Sequence, residues 1–299
     1  MAALEIPPNL PYLRFDRIAG RGGMAIVWRC WHKELKRFVA VKVLNKAFTA
    51  SGEDIRQFMS EMRVMSNINH PGIVHGYGGD CINGRYFFIM EYVDGYTFSS
   101  LLQRKGKTSQ EDALIICESV AEALGYAWNL SKIVHCDIKP ENIMCDSNGC
   151  VKVTDLGLCQ STNVLRSTSE ASDEIIGTPA YMSPEQIYAD RPLDCRADIY
   201  CLGATLYHLV TGRTLFPTLN PEEAVRAHVN PEMSAPDPRR FNPKLTPDFV
   251  RLLGHMLVKN PDARYQTWQD VLDAAQAIEE SRAILPLAAD AVSSIQISE

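Results

Sequence analysis

His135-Cys136-Asp137-Ile138-Lys139-Pro140-Glu141-Asn142 is the stretch from which the rest of the chain can be read. An aspartate two residues before a lysine and five before an asparagine sets a base, a cation and a neutral oxygen ligand on one loop. Downstream, Thr154-Asp155-Leu156-Gly157 offers a second carboxylate after a strand. Asn142 and Asp155 are hard oxygen donors of the kind Mg²⁺ prefers in small number, because that ion keeps waters and phosphate oxygens as its other ligands.

Upstream, Gly20-Arg21-Gly22-Gly23-Met24-Ala25-Ile26-Val27 is a glycine turn followed by a strand. Glycines there let backbone N–H groups approach phosphate oxygens without a Cβ in the way. A strand after the turn, not a helix, argues against a dinucleotide-binding fold. Val39-Ala40-Val41-Lys42 follows one hairpin later and brings an ammonium near the same pocket. A lysine flanked by Val41 and Val43 points inward more readily than a surface lysine at a strand end. Glu61 lies beside Met62 at the edge of an apolar helix face, where a carboxylate needs a cation. Lys42 is the natural partner, and a solvated glutamate beside Glu53 and Asp54 is the plain alternative.

Apolar residues make up 46% and charged residues 22% of the 299, which excludes a disordered or collagen-like chain. The 30 basic and 36 acidic residues leave a net charge of −6, without the clustered basic excess of a nucleic-acid binder. The nine cysteines show no C-x-x-C or paired Cys/His spacing, so reduced thiols in the cytoplasm are expected. Residues Met1 to Pro8 lack the basic and apolar regions of a signal peptide. No apolar run approaches the ~20 residues of a membrane-spanning helix.

Secondary structure follows from periodicity. Ile26 to Trp31 and Arg37 to Val43 are rich in β-branched and aromatic residues and form a hairpin across His32 to Lys36. Ile55, Phe58, Met59, Met62 and Met65 recur at helical spacing, and Tyr86 to Met90 is a buried strand. Beyond Asp94-Gly95 the segments Leu114 to Trp128, Asp198 to Val210 and Phe249 to Val258 are helical. Short strands and loops fill His135 to Leu158. The polar run Cys159 to Glu174 is too long for an ordinary connection. Pro286 to Glu299 lacks helical punctuation.

Taken in order, these segments resemble a eukaryotic-type protein kinase domain. The series is the glycine loop, Val39-Ala40-Val41-Lys42, the helix glutamate, His-x-Asp-x-Lys-Pro-x-Asn, Asp-x-Gly, and Gly177-Thr178-Pro179-Ala180-Tyr181-Met182-Ser183-Pro184-Glu185. The match runs from about Tyr12 to about Ile278. The loop through Met24 and the Ser-Pro-Glu-Gln run resemble the bacterial serine/threonine branch in particular.

The resemblance implies an α+β bilobal fold: a small β-rich lobe with one main helix at 12–93, then a larger, mainly helical lobe at 94–285. An N-terminal extension (1–11) and a tail or linker (286–299) flank them. It implies transfer of the ATP γ-phosphate to serine and threonine hydroxyls of protein substrates, autophosphorylation included, with Mg²⁺ or alternatively Mn²⁺. It gives no nucleic-acid partner and leaves oligomeric state open. The run Ala19, Gly20, Arg21, Gly22, Gly23, Met24, Ala25, Ile26, Val27 would cover the nucleotide, its glycines over the phosphates. Lys42, held by Glu61, would contact the α- and β-phosphates. Val27, Ala40 and Met144 would sandwich the adenine, Met90 would guard the back of the pocket, and Glu91 and Val93 would offer backbone hydrogen bonds. Asn142 and Asp155 would hold the metal, Asp137 would orient or accept the substrate proton, and Lys139 would neutralise the moving phosphoryl group. Lys139 in Lys-Pro-Glu-Asn, with Thr178, is the serine/threonine form. Asp198 would hold the catalytic-loop backbone from below, Glu185 and Arg264 would form a buried ion pair, and His135 would be a packing residue.

A pseudokinase scaffold would be expected to lack Lys42, Asp137 or Asp155, and all three are present. A kinase of small molecules would lack the Thr178 to Glu185 stretch. Four positions depart from the family pattern. Ala25 replaces a glycine, Leu156 replaces a phenylalanine, and Ser183 replaces an alanine in what reads as a harmless change. Cys136 stands where loop-phosphorylated kinases carry an arginine that pairs with the phosphate. Replacing Ser161, Thr162, Ser167, Thr168, Ser169 and Ser172 together with alanine is therefore expected to leave turnover within about tenfold, or ~1.4 kcal/mol. A collapse of activity in steady-state kinetics would refute this.

Overall fold

The computed structural model describes residues 9–156, 178–217 and 220–293. Its first part is a five-stranded antiparallel sheet in the order β1-β2-β3-β5-β4: β1 (Leu13–Arg21), β2 (Ala25–His32), β3 (Arg37–Leu44), β4 (Gly76–Ile82) and β5 (Arg85–Glu91). The β2–β3 hairpin is paired without a bulge from Ala25↔Leu44 to His32↔Arg37. The two-residue period of β3 sorts its side chains between two cores. Val39, Val41 and Val43 pack outward with Cys30 and Phe87. Ala40 and Leu44 pack inward with Phe88 and Met90. Lys42 shares that inner face, so strand alternation alone turns its ammonium toward the cleft.

Helix α1 (Gly52–Asn67) covers the inner face. Ser51 caps it by accepting the Asp54 N–H, and Glu53 and Asp54 suit the positive end of its dipole. Phe58, Met62, Val64 and Met65 are buried, and so is the carboxylate of Glu61 in their midst.

After the five-stranded sheet, β6 (Gly95–Thr97), β7 (Ile143–Asp146) and β8 (Val151–Val153) form a second antiparallel sheet in sequence order. Gly95 is required there: a Cβ would lie 1.9 Å from the Cys145 carbonyl oxygen. The helices that follow are α2 (Phe98–Lys105), α3 (Gln110–Ser131), α4 (Pro184–Tyr188), α5 (Cys195–Thr211), α6 (Pro221–Val229), α7 (Pro247–Met256) and α8 (Trp268–Ser293). Helix α5 is buried on nearly every side, as befits the axis of a helical lobe. It ends on Gly212 at φ +72°, the left-handed cap a glycine supplies most cheaply.

The segment from Pro286, which lacks helical punctuation and is expected to be a tail or linker, begins within α8, which continues through Ser293. The alanine-rich run Leu287-Ala288-Ala289-Asp290-Ala291 favours helix strongly enough to carry it past the proline. The polar run at 159–174 lies outside the described residues.

Candidate active site

The glycine loop is the turn from β1 into β2, with Gly20 opposite Val27 and Arg21 opposite Ile26. The Gly22 N–H closes it onto the Ala25 carbonyl at 2.9 Å. Asn45 braces it from the end of β3, its side chain on Gly23 O at 2.7 Å and its N–H on Met24 O at 2.8 Å. A Cβ at Gly20 or Gly23 would meet nothing within 4 Å. These two glycines therefore keep an approach open, while the Gly22 donor is already engaged. Ala25 sits inside β2 opposite Leu44, so its methyl joins the sheet and not the turn.

Beneath the loop, the Lys42 ammonium lies 2.7 Å from Glu61 Oε1 and 2.9 Å from Asp155 Oδ1. Burial by itself would depress Lys42, but Asp155 and Glu61 outweigh it and hold the ammonium above the ordinary lysine range. Burial would likewise raise Asp155, and Lys42 outweighs that to hold its carboxyl below the usual value. Lys42 and Asp155 thus meet as charges, whereas burial pushes the Glu61 carboxyl up against the pull of Lys42. Asp155 has φ +59°, a left-handed conformation that costs a non-glycine residue of order 1–3 kcal/mol. The Leu156 side chain after it is fully buried, an apolar plug where the family pattern has phenylalanine.

The expected base pocket is brought together by four strands. Val27 pairs with Lys42 and Ala40 with Met90, which puts these residues on the cleft side of the sheet. Met144, on β7, and Val27 pack against the core that holds Ala40, Met90 and Val93. The Glu91 N–H is taken by His75 O at 2.8 Å and its carboxylate by Lys152 at 2.9 Å. The Glu91 N–H is therefore already engaged within the fold.

The loop of His135 to Asn142 is held by its backbone. Asp198, at the start of α5, accepts the N–H of His135 at 2.7 Å and of Cys136 at 2.8 Å. Burial pushes the Asp198 carboxyl up to about 6, against the pull of His135 and these two donors. Asn142 Nδ2 donates to Asp137 O at 2.8 Å and to Asp137 Oδ2 at 3.0 Å. His135 is fully buried, its Nε2 on Thr154 O at 3.0 Å and its Nδ1 accepting the Asp137 N–H at 3.3 Å. Both ring nitrogens are committed, so it acts as packing, as the sequence implied.

At the mouth of the loop Lys139 Nζ lies 2.6 Å from Asp137 Oδ2 and donates to Thr178 Oγ1 at 2.7 Å. That hydroxyl in turn donates to Asp137 Oδ1 at 3.4 Å. Base, cation and the threonine of the downstream motif therefore converge. Cys136 packs with Val134 and Ala197 in a small apolar cluster. The six hydroxyls it would concern lie outside the described residues.

The sites for a metal fit on donor chemistry. With the Asn142 nitrogen spent on Asp137, its amide oxygen is the group left to offer, beside the ionised Asp155. One carboxylate and one amide oxygen suit a hard dication that keeps water and phosphate oxygens. Among the described residues no cluster of three or more His, Cys, Asp or Glu could hold a metal ion by itself.

Below the loop, the Arg264 guanidinium meets Glu185 with both nitrogens, at 2.7 and 3.2 Å, the pair being almost wholly out of water. Three supporting residues escaped the sequence reading. Gln186 Nε2 donates to Cys136 O at 2.7 Å and Thr205 Oγ1 to Ile138 O at 3.0 Å. Ser183, expected to be inconsequential, is the N-cap of α4 in a reciprocal capping box with Gln186, an arrangement whose loss costs ~0.5–2 kcal/mol. The signal for the box, serine three residues before glutamine, was legible.

Comparison with known proteins agrees with this geometry. The protein kinase domain family matches residues 13–276. The chain is 37% identical over 254 residues to a probable serine/threonine-protein kinase of Streptomyces coelicolor, covering 84% of this chain and 37% of that protein. It is 34% identical over 274 residues to the serine/threonine-protein kinase PknA of Mycobacterium tuberculosis, covering 90% and 62%. The chain thus spans between about a third and two thirds of these relatives' length. The solved kinase domain of Mycobacterium tuberculosis PknI, as a double mutant, superposes with a TM-score of 0.72 at 24% identity, over 92% of this chain and 99% of that one. The chain belongs to the protein kinase domain family, on its bacterial serine/threonine branch, in which ATP and a divalent metal ion are used. By family it is accordingly a protein kinase domain. Among the described residues no helix is long and apolar enough to cross a membrane.

Proposed function

We propose that residues 12–285 form the catalytic unit, with lobes meeting at 93/94, and that it phosphorylates serine and threonine hydroxyls of proteins, its own included, on the cytoplasmic side where ATP is available. The observation that carries this reading is the convergence of two charge clusters on one cleft, Lys42 with Glu61 and Asp155, and Asp137 with Lys139 and Thr178. Lys42, steadied by Glu61, holds the α- and β-phosphates under the glycine loop of Ala19 to Val27. Val27, Ala40, Met90 and Met144 enclose the base, with Glu91 and Val93 lending main-chain contacts. Asp155 and Asn142 hold Mg²⁺, or Mn²⁺ in its place, and the ion when bound neutralises charge on the phosphates. Asp137 orients the incoming hydroxyl and accepts its proton, and Lys139 offsets charge on the transferring group. Positioning and fixed charge supply most of the acceleration in such a transfer.

Radiolabel transfer from γ-labelled ATP to the protein itself and to a generic basic protein tests the assignment. Wild type should label both only when Mg²⁺ or Mn²⁺ is present, and Asp155→Asn should lose at least about 10²-fold, the usual scale for removing one group that stabilises transition-state charge. An unlabelled wild type would leave a nucleotide-binding scaffold as the better description.

A further inference from the structure

We infer that Gln186 is a positioning residue for phosphoryl transfer, its carboxamide fixing the Cys136 carbonyl and so tying the loop of Asp137 to the segment that docks the acceptor. This rests on the function proposed above. Gln186 is only 3% exposed, and a polar side chain that deep is unfavourable unless its groups are satisfied. Its Oε1 receives the Ser183 N–H at 3.0 Å, the Ser183 hydroxyl at 2.9 Å and the Cys201 thiol at 3.1 Å. Three donors on the oxygen settle which way the amide faces, and Nε2 is left to meet Cys136 O at 2.7 Å.

Cys136 is the residue whose geometry most needs holding. It has φ +63°, in the left-handed region that a cysteine rarely adopts. Its N–H is held by Asp198 and its carbonyl by Gln186. Asp137 comes next in the chain, so rotation of the intervening peptide would swing its carboxylate away from Lys139 and Thr178. The same glutamine grips Ser183, at the far end of the segment that begins with Thr178. Loop and docking segment are thereby joined at both ends: through Thr178 on Lys139 and Asp137 in front, and through Gln186 on Cys136 behind.

The nucleotide contacts do not pass through this link, so turnover and ATP binding should separate. In Gln186→Met, kcat per nucleotide-binding site, counted by titration with a fluorescent ATP analogue, should fall at least tenfold while KM for ATP stays within about twofold, a factor of ten being ~1.4 kcal/mol of barrier. Cys201→Ala, which leaves the Nε2 donor in place, should keep kcat per site within about twofold of wild type. If Gln186→Met yields no nucleotide-binding protein, Gln186→Glu decides. Its carboxyl can donate to the Cys136 carbonyl only while protonated, so its kcat relative to wild type should drop as pH rises. Unchanged kcat per site in Gln186→Met, an equal loss in Cys201→Ala, or a flat pH ratio in Gln186→Glu overturns the inference. A wild type that transfers no phosphate would instead remove the function on which it rests.

Discussion

Asp137→Asn should lower phosphate transfer about 10²–10⁴-fold, the usual contribution of a general base, while nucleotide affinity stays within a few-fold of wild type. Among the described residues, the groups hydrogen-bonded to the Asp137 carboxylate all donate to it: Lys139 at 2.6 Å, Asn142 Nδ2 at 3.0 Å and the Thr178 hydroxyl at 3.4 Å. A carboxamide has the same shape but can take no proton, and its NH₂ must turn toward one of those donors. With the NH₂ toward the Thr178 hydroxyl, which can accept, the amide oxygen still faces Lys139 and Asn142, so the change removes proton acceptance while leaving that frame in place. Of the groups proposed to hold the nucleotide and its metal ion, Lys42, Asp155 and the β1–β2 loop stand on other elements and keep their own contacts, and Asn142 alone shares the loop and touches Asp137. Single-turnover transfer and fluorescence titration of nucleotide, run on the same preparation, make the comparison. Transfer within tenfold of wild type at full nucleotide affinity would remove Asp137 from the role of base.

Arg264→Met should destabilise the fold by ~3–5 kcal/mol, because it strands a buried carboxylate. Against the ~5–15 kcal/mol that holds an ordinary domain together, such a loss leaves little margin at 37 °C. Besides its two bonds to Glu185, Arg264 donates to Val258 O at 3.0 Å, to Lys259 O at 3.2 Å and to the Arg196 carbonyl, and it lies over the Tyr200 ring. These extra bonds matter for the control. Replacing both charges, as Glu185→Leu with Arg264→Met, removes the stranded charge but still leaves carbonyls without a donor. It should therefore be less damaging than Arg264→Met alone and yet not neutral. Urea midpoints for the single and double variants give the answer, and a single-variant loss below about 1 kcal/mol would show that the pair contributes little.

Much of the site was visible before any coordinates. The alternation of Val39, Ala40, Val41, Lys42 and Val43 already sets Lys42 on the face opposite its valine neighbours, and the structure puts it there beside Glu61. The helix of Glu61 announced itself by the three-and-four spacing of Phe58, Met62 and Met65. Asp198 beneath the loop and Glu185 against Arg264 followed from the family resemblance and are found as expected. Strand β1 was harder: Arg14, Asp16, Arg17 and Arg21 make half of it polar, as an outer strand facing water permits. The helical stretch past Pro286 is not announced by the sequence, because proline is a strong local stop and the alanines after it are a weaker, cumulative signal.

Period, motif order and residue chemistry are properties of neighbours along the chain, and from them came the bilobal class, the nucleotide loop and the charged residues of the cleft. The grip of Gln186 on Cys136 spans 50 positions and that of Lys42 on Asp155 spans 113. A buried glutamine has the same letter as a solvated one. Only when α4, α5 and the loop of Asp137 close around it, shutting out water, does its amide have one carbonyl to serve, and the left-handed turn at Cys136 acquires the contacts that hold it.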